Sequence, residues 1–307
     1  MVTDRTACSL VDPADTFIAA GRCGKHAAWR WAITIILTLC TASLYSSLGF
    51  WLLGRAFQTP DGRALWSDAV LGPMVRLFPA AATLPVFLVL FRIMHGRRPA
   101  RLLGWSGRVD GGRLGQSAIL YLGLLIVSEI VMHVIDPASR SLAYQPADFW
   151  PLLFLTVLLL PCQVGFEELF FRSYLLQGAA QWTARRWMAV ALVSVLFMAM
   201  HLPSPEARAY GLLQACVVYA GLSATLATVT LVDGTVSAAL GAHLAHNLYV
   251  LLLVGQPVSP AGSAALIVTT DHHPVQAMLR NLLVFCIYLL VMYRGSRRCR
   301  LRLQAGV

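Results

Sequence analysis

The sequence predicts an all-α fold, a polytopic integral membrane helix bundle of about eight transmembrane helices. Three observations carry that prediction. Of 307 residues, 58% are hydrophobic and only 12% charged, with a mean hydropathy of +0.67, a balance foreign to soluble globules. Apolar runs recur that approach the ~20 residues a helix needs to cross the hydrocarbon. Between them lie short segments rich in proline and arginine.

Taken in order, residues 1–29 are polar and mixed in charge. They read as a cytoplasmic N-terminal segment and not as a cleavable signal peptide. Helices are expected at 30–54, 74–94, 115–135, 149–180, 187–202, 209–232, 235–254 and 277–293. Pro60, Arg97-Arg98 with Pro99, Asp136-Pro137, Pro203 with Pro205, and Gln256-Pro257 separate them. Residues 30–293 then form one transmembrane domain with its catalytic core at about 149–254, and 294–307 a basic cytoplasmic tail. No internal repeat or low-complexity segment interrupts it.

The basic residues test the count. With the N-terminus inside and eight alternating spans, 18 of the 24 basic residues fall on the inner side. Arg55, Arg63, Arg76, Arg140, Arg208 and Arg280 are left outside or at outer helix ends. That is the positive-inside bias, and it puts both termini in the cytoplasm. Arg294, Arg297, Arg298, Arg300 and Arg302 then anchor the tail to anionic lipid. The net charge of +10 is accounted for in this way, so nucleic acid is not expected as a partner. All basic residues but Lys25 are arginine, which points to a GC-rich bacterial genome and hence a bacterial inner membrane. The seven cysteines show no paired spacing and read as small buried hydrophobes.

Glu167 and Glu168 are the chemical anomaly. The run from Phe149 to Phe166 is almost wholly apolar, yet it leads straight into two acids and then Arg172. Ionisable groups at membrane depth are costly, usually partnered, and functional-site candidates by default. Neighbours on a helix point about 100° apart, so the two acids cannot share a job. Glu168 and Arg172 are i,i+4 with the acid first, the favourable order for a pair. Glu167 lacks a partner on its own helix and is the freer carboxylate, suited to act as a general base.

Two further clusters are Phe197-x-x-x-His201 and His243-x-x-x-Asn247. Glu167 lies 18 residues before the turn at Arg185 and His201 lies 16 after it. In an antiparallel hairpin rising ~1.5 Å per residue they meet at similar height. His243 and Asn247 lie roughly 12–18 Å from the inner end of the seventh span, so all three clusters can converge. Each also has a purely structural reading. Glu168–Arg172 can lock two helices, His201 can be interfacial, and His243–Asn247 can be interhelical hydrogen-bond glue. Glu129 and His133 read as a structural buried pair, His246 as secondary, and His272-His273 as a surface tract.

In this order and on separate helices, the three motifs resemble those of the CPBP intramembrane proteases. That family includes the CAAX prenyl endopeptidases and the bacterial Abi-type proteins. The resemblance covers about 149–254, and the first three spans carry no comparable signature. It implies an intramembrane endopeptidase acting on a membrane-associated or lipidated protein or peptide. Glu167 and His201 would activate the attacking water. His243 and Asn247 would donate to the oxyanion, and Glu168 and Arg172 would support them. Asn247 fills a position where the family uses asparagine or aspartate, and Phe197 would pack beside His201.

The family is often labelled metalloprotease, and Glu167, His201 and His243 are the donors that could form a three-ligand zinc site. No His-Glu-x-x-His occurs here, and a glutamate–histidine pair can activate water unaided, so the balance leans against an obligatory metal. Two other classes compete. A non-catalytic protein for bacteriocin immunity or scaffolding has little need of both Glu167 and His201. A transporter would be expected to show inverted repeats or paired broken helices.

Overall fold

The structure is a computed structural model, and it describes residues 12–56, 67–183, 185–204, 207–208, 211–255, 264–269 and 273–304. Cys8, Pro60, Arg63, Pro205, Gln256, Pro257 and His272 lie outside the described residues.

Every expected helix is present: α2 (Ala28–Ala56), α3 (Asp68–His95), α4 (Gly111–Ile135), α5 (Pro146–Trp182), α6 (Arg186–His201), α7 (Leu212–Asp233), α8 (Ser237–Leu253) and α9 (Pro274–Gln304). The count of eight spans is approximate, however. Six of these helices have stretches long and apolar enough to cross a membrane, whereas α6 and α8 are shorter. Large apolar side chains such as Ile36, Ile119, Phe154 and Leu213 are exposed on the helix surfaces. Such a surface suits lipid and not water. This is an integral membrane protein.

Among the described residues a further helix, α1 (Pro13–Gly21), lies within the N-terminal segment. Asp12 caps it by accepting from the Ala14 amide, and Pro13 occupies its first turn. Phe17 is fully buried in the main core, and α1 packs on the C-terminal part of α5 and on α7. Three arginine contacts hold the same end of the bundle together. Arg186 reaches Asp12 and Asp15, Arg97 donates to the Ala20 carbonyl, and Arg30 donates to the Met94 carbonyl. Burial pushes the Arg97 guanidinium down to about 10, still high enough to keep it charged at neutral pH.

Helices α2, α3 and α5 pack in succession, α6 packs on α7, and α9 on α7 and α4. Helix α8 is inserted between α4 and α5. Gly241 permits its close approach to α4, because a Cβ there would overlap the Leu114 carbonyl oxygen. Beyond the helices, three short strands form a sheet of order β1-β3-β2: β1 (Arg140–Leu142), β2 (Val254–Gly255) and β3 (Ile267–Thr269). At two or three residues each, they are too short to leave an alternating pattern.

Two expectations need correction. Glu129 is buried but does not pair with His133, which is exposed. Its oxygens are taken by Arg140, Arg280 at 2.9 Å and the Tyr249 hydroxyl at 2.6 Å. Two guanidinium groups from other elements outcompete an imidazole on the same helix. Among the described residues Cys23, Cys40, Cys162, Cys216 and Cys286 are free, yet Cys23, Cys40, Cys162 and Cys286 are exposed instead of buried. A thiol on a lipid-facing surface meets an apolar medium as it would in a core.

Candidate active site

Helix α5 is not α-helical throughout. Glu168–Leu175 forms a π-helical segment, which begins at the second acid of the pair. Helix α8 likewise turns π-helical at Tyr249–Leu253, two residues after Asn247. Such widened turns are rare and recur at functional sites, where they re-aim side chains.

Within this frame Glu168 and Arg172 are both fully buried and lie 3.1 Å apart as an ion pair. The Arg172 guanidinium carbon also sits 4.2 Å from the centroid of the Phe197 ring. Glu168 has a second partner, because Nδ1 of His243 donates to its Oε1 at 2.6 Å. A carboxylate only accepts, so Nδ1 is the donor in this bond and Nε2 is the ring nitrogen it leaves over. This Nε2 lies 3.7 Å from Oε2 of Glu167.

Glu167 is tied on its other side by Gln163, whose Nε2 donates to Oε1 at 2.5 Å. Gln163 in turn accepts from Nδ2 of Asn247 at 3.2 Å. Helices α5 and α8 are thus joined by two rungs, Gln163–Asn247 and Glu167–His243, each helix contributing residues four apart. The Oε2 atom of Glu167 is buried and has no hydrogen-bond partner among the described residues.

His201 stands apart from this ladder. Its Nδ1 donates to the Phe197 carbonyl at 2.8 Å, and Nε2 takes no part in that bond. Its ring lies between Phe197, at 4.2 Å, and Tyr219, at 4.8 Å. The Phe197 ring is also 6.4 Å from that of His243. No hydrogen bond or ion pair joins His201 to Glu167; the histidine facing Glu167 is His243. Consistent with this, no three His, Cys, Asp or Glu side chains among the described residues gather as metal ligands.

A cavity of about 190 Å³ has Tyr219, His246, Tyr249, Arg140 and Arg280 in its wall, but none of Gln163, Glu167, Glu168, Arg172, His201, His243 or Asn247. Sequence reasoning missed Gln163 and Tyr219. For Gln163 a signal existed, an amide four residues before Glu167 in an otherwise apolar run.

Residues 147–249 match the family described as Type II CAAX prenyl endopeptidase Rce1-like. Over this segment the chain is similar to that family. Gln163, Glu167, Glu168, Arg172, His201, His243 and Asn247 all fall inside the matched segment, whereas α1 to α4 and α9 fall outside it. Over 261 residues, 82% of this chain and 87% of the relative, the chain is 28% identical to the uncharacterized protein YyaK of Bacillus subtilis (strain 168). No solved structure matches the chain.

Proposed function

We propose that the chain is an intramembrane endopeptidase that hydrolyses a peptide bond in a membrane-associated or lipidated protein or peptide. The observation that carries this reading is the approach of Glu167 to His243. With His243 in its neutral form, its Nε2 and Oε2 of Glu167, 3.7 Å apart, are two acceptors too distant and too alike to hydrogen-bond directly, but both can accept from one water.

In the proposed reaction the water oxygen attacks the scissile carbonyl carbon while its proton passes to Glu167. The tetrahedral oxyanion is met by the N–H of Asn247 that Gln163 does not use, a donor of a kind that contributes about 3–4 kcal/mol in a dry site. Glu167 then returns the proton to the departing nitrogen, the C–N bond breaks, and an acid and an amine are released. His243 takes the water-holding place first given to His201, with Glu168 fixing its ring and Arg172 fixing Glu168. His201, whose Nε2 takes no part in its bond to Phe197, is the second candidate for the proton transfer.

Both chain ends are placed on the cytoplasmic side of a bacterial inner membrane. In support, Arg97, Arg186, Lys25 and Arg30 all lie at the bundle end where α1 docks, the side that a positive-inside bias assigns to the cytoplasm. The description of the matching family suggests a prenylated C-terminal segment as one substrate class.

The test is cleavage of a membrane-tethered reporter peptide by purified wild type, Glu167→Ala and His201→Ala. Loss of Glu167 should remove on the order of 10²-fold or more of the rate. Variants that both cleave like wild type sink the catalytic reading, and a folded wild type that never cleaves favours the scaffold. Chelation followed by metal re-addition then decides whether a metal takes part.

A further inference from the structure

We propose that Gln163 is a positioning residue that holds the Glu167 carboxylate and sets which end of the Asn247 amide faces the reaction. The inference rests on the hydrolytic reading above and deepens it.

The argument begins with what each group can accept or donate. A carboxylate offers only lone pairs, so the Gln163 atom facing Glu167 must be its NH₂ group. That fixes the amide plane and turns Oε1 toward α8. An oxygen there demands a donor, and Asn247 answers with Nδ2 at 3.2 Å. The orientation of Asn247 is therefore dictated from Glu167 through one intermediary. One N–H of Asn247 is consumed and the other remains for an oxyanion.

Gln163 is only 6% exposed, so water cannot easily replace it. A buried amide that satisfies partners on both sides is rigid. The other charged or titratable groups around Glu167 are His243 on α8 and, on its own helix, Glu168 and Arg172. None of these supplies a hydrogen bond to Oε1. Without Gln163 the Glu167 side chain keeps only its 3.7 Å approach to His243 and is free to change rotamer. The Asn247 amide is then free to flip and offer its oxygen, which an oxyanion repels.

The experiment uses the full-length protein in detergent micelles, with Gln163→Met as a near-isosteric variant that lacks both hydrogen bonds. The infrared carboxylate stretch of Glu167, assigned by its loss in Glu167→Gln, should shift in frequency. On the reporter peptide kcat should fall about 10–100-fold while KM changes less than threefold. A stretch that does not move overturns the inference, whether or not the reporter is cut at all. So does a shifted stretch with an unchanged kcat. Should Gln163→Met fail to fold, Gln163→Leu also lacks both hydrogen bonds, adds no carboxylate band and carries the same two readouts. A wild type that leaves the reporter intact counts against the hydrolytic reading alone, since the infrared comparison does not need turnover.

Discussion

The guanidinium carbon of Arg172 lies 4.2 Å from the centroid of the Phe197 ring, while Nη1 of the same group lies 3.1 Å from Glu168. One cation is thus shared between a carboxylate on its own helix and an aromatic face on α6. The contact links the helix of Glu167 to the helix of His201 without any polar bond between those two residues. Phe197 is therefore more than filler, because it is the surface on which Arg172, His201 and His243 all converge.

Replacing Arg172 by lysine should be far from conservative. An ammonium keeps the charge but lacks the planar group that sits over Phe197 and the reach to hold Glu168 at the same time. Reporter cleavage by Arg172→Lys is expected to fall at least tenfold. Arg172→Ala, which strands a buried carboxylate, should also lose about 3–5 kcal/mol of stability, read from denaturation in micelles. An Arg172→Lys enzyme with wild-type kcat argues against this account.

Glu168→Gln separates charge from shape. The amide can still meet His243, but it can present either a donor or an acceptor to Nδ1, so the ring tautomer is no longer fixed. Loss of the acid behind a catalytic histidine costs up to about 10⁴-fold in well-characterised hydrolases. Here kcat is expected to drop on the order of 10²-fold or more, and the melting temperature should fall as well, because the buried Arg172 cation loses its carboxylate. The check is a kinetic comparison beside ¹⁵N chemical shifts of the His243 ring, which should show the mixed tautomer.

Gly241→Val tests the seating of α8. Its side chain would collide with backbone of α4 at Leu114 and Ala118, which no rotamer change relieves. The expected cost is about 1–3 kcal/mol or more, seen as a lowered unfolding midpoint. Activity should fall with it, because His243 is only two residues away. A variant as stable as wild type shows that the helices are less tightly apposed than described.

Tyr249→Phe probes the Glu129 knot. It removes the 2.6 Å hydroxyl bond to a buried carboxylate that keeps both arginine partners. A loss of about 1.5–3 kcal/mol is expected for a bond to a charged group. Denaturation in micelles measures it, and a change under about 0.5 kcal/mol would mean that the arginines alone suffice.

The eight main helices could be read from the sequence because each is announced by an apolar run bounded by proline or charge. Helix α1 could not, since its nine residues sit in a polar stretch and their burial depends on neighbours far along the chain. The polar residues were also legible as a set, because charge in an apolar run is visible without a structure. Their pairing was not. Counting residues from the turn at Arg185 matches Glu167 and His201 in height but says nothing about which side of each helix faces the other. Azimuth is set by how α8 inserts between α4 and α5, and that insertion delivers His243 to Glu167 instead. Gln163 illustrates the same limit: its type and spacing were plain, but only the position of Asn247 gives it a second partner.

The π-helical stretch Glu168–Leu175 makes α5 behave as two rods in different phase. Upstream, Gln163 and Glu167 are turned toward α8. Downstream, Tyr174 stacks on Trp31, and Gln177 meets Arg97. Each turn in the stretch takes up one residue more than an α-turn, which offsets the two halves against each other. Removing a single residue there would swing one half by about 100° relative to the other. The cell would then keep either a seated N-terminal helix or a facing pair of acids, but not both. One extra residue of helix thus lets a single span serve two neighbours.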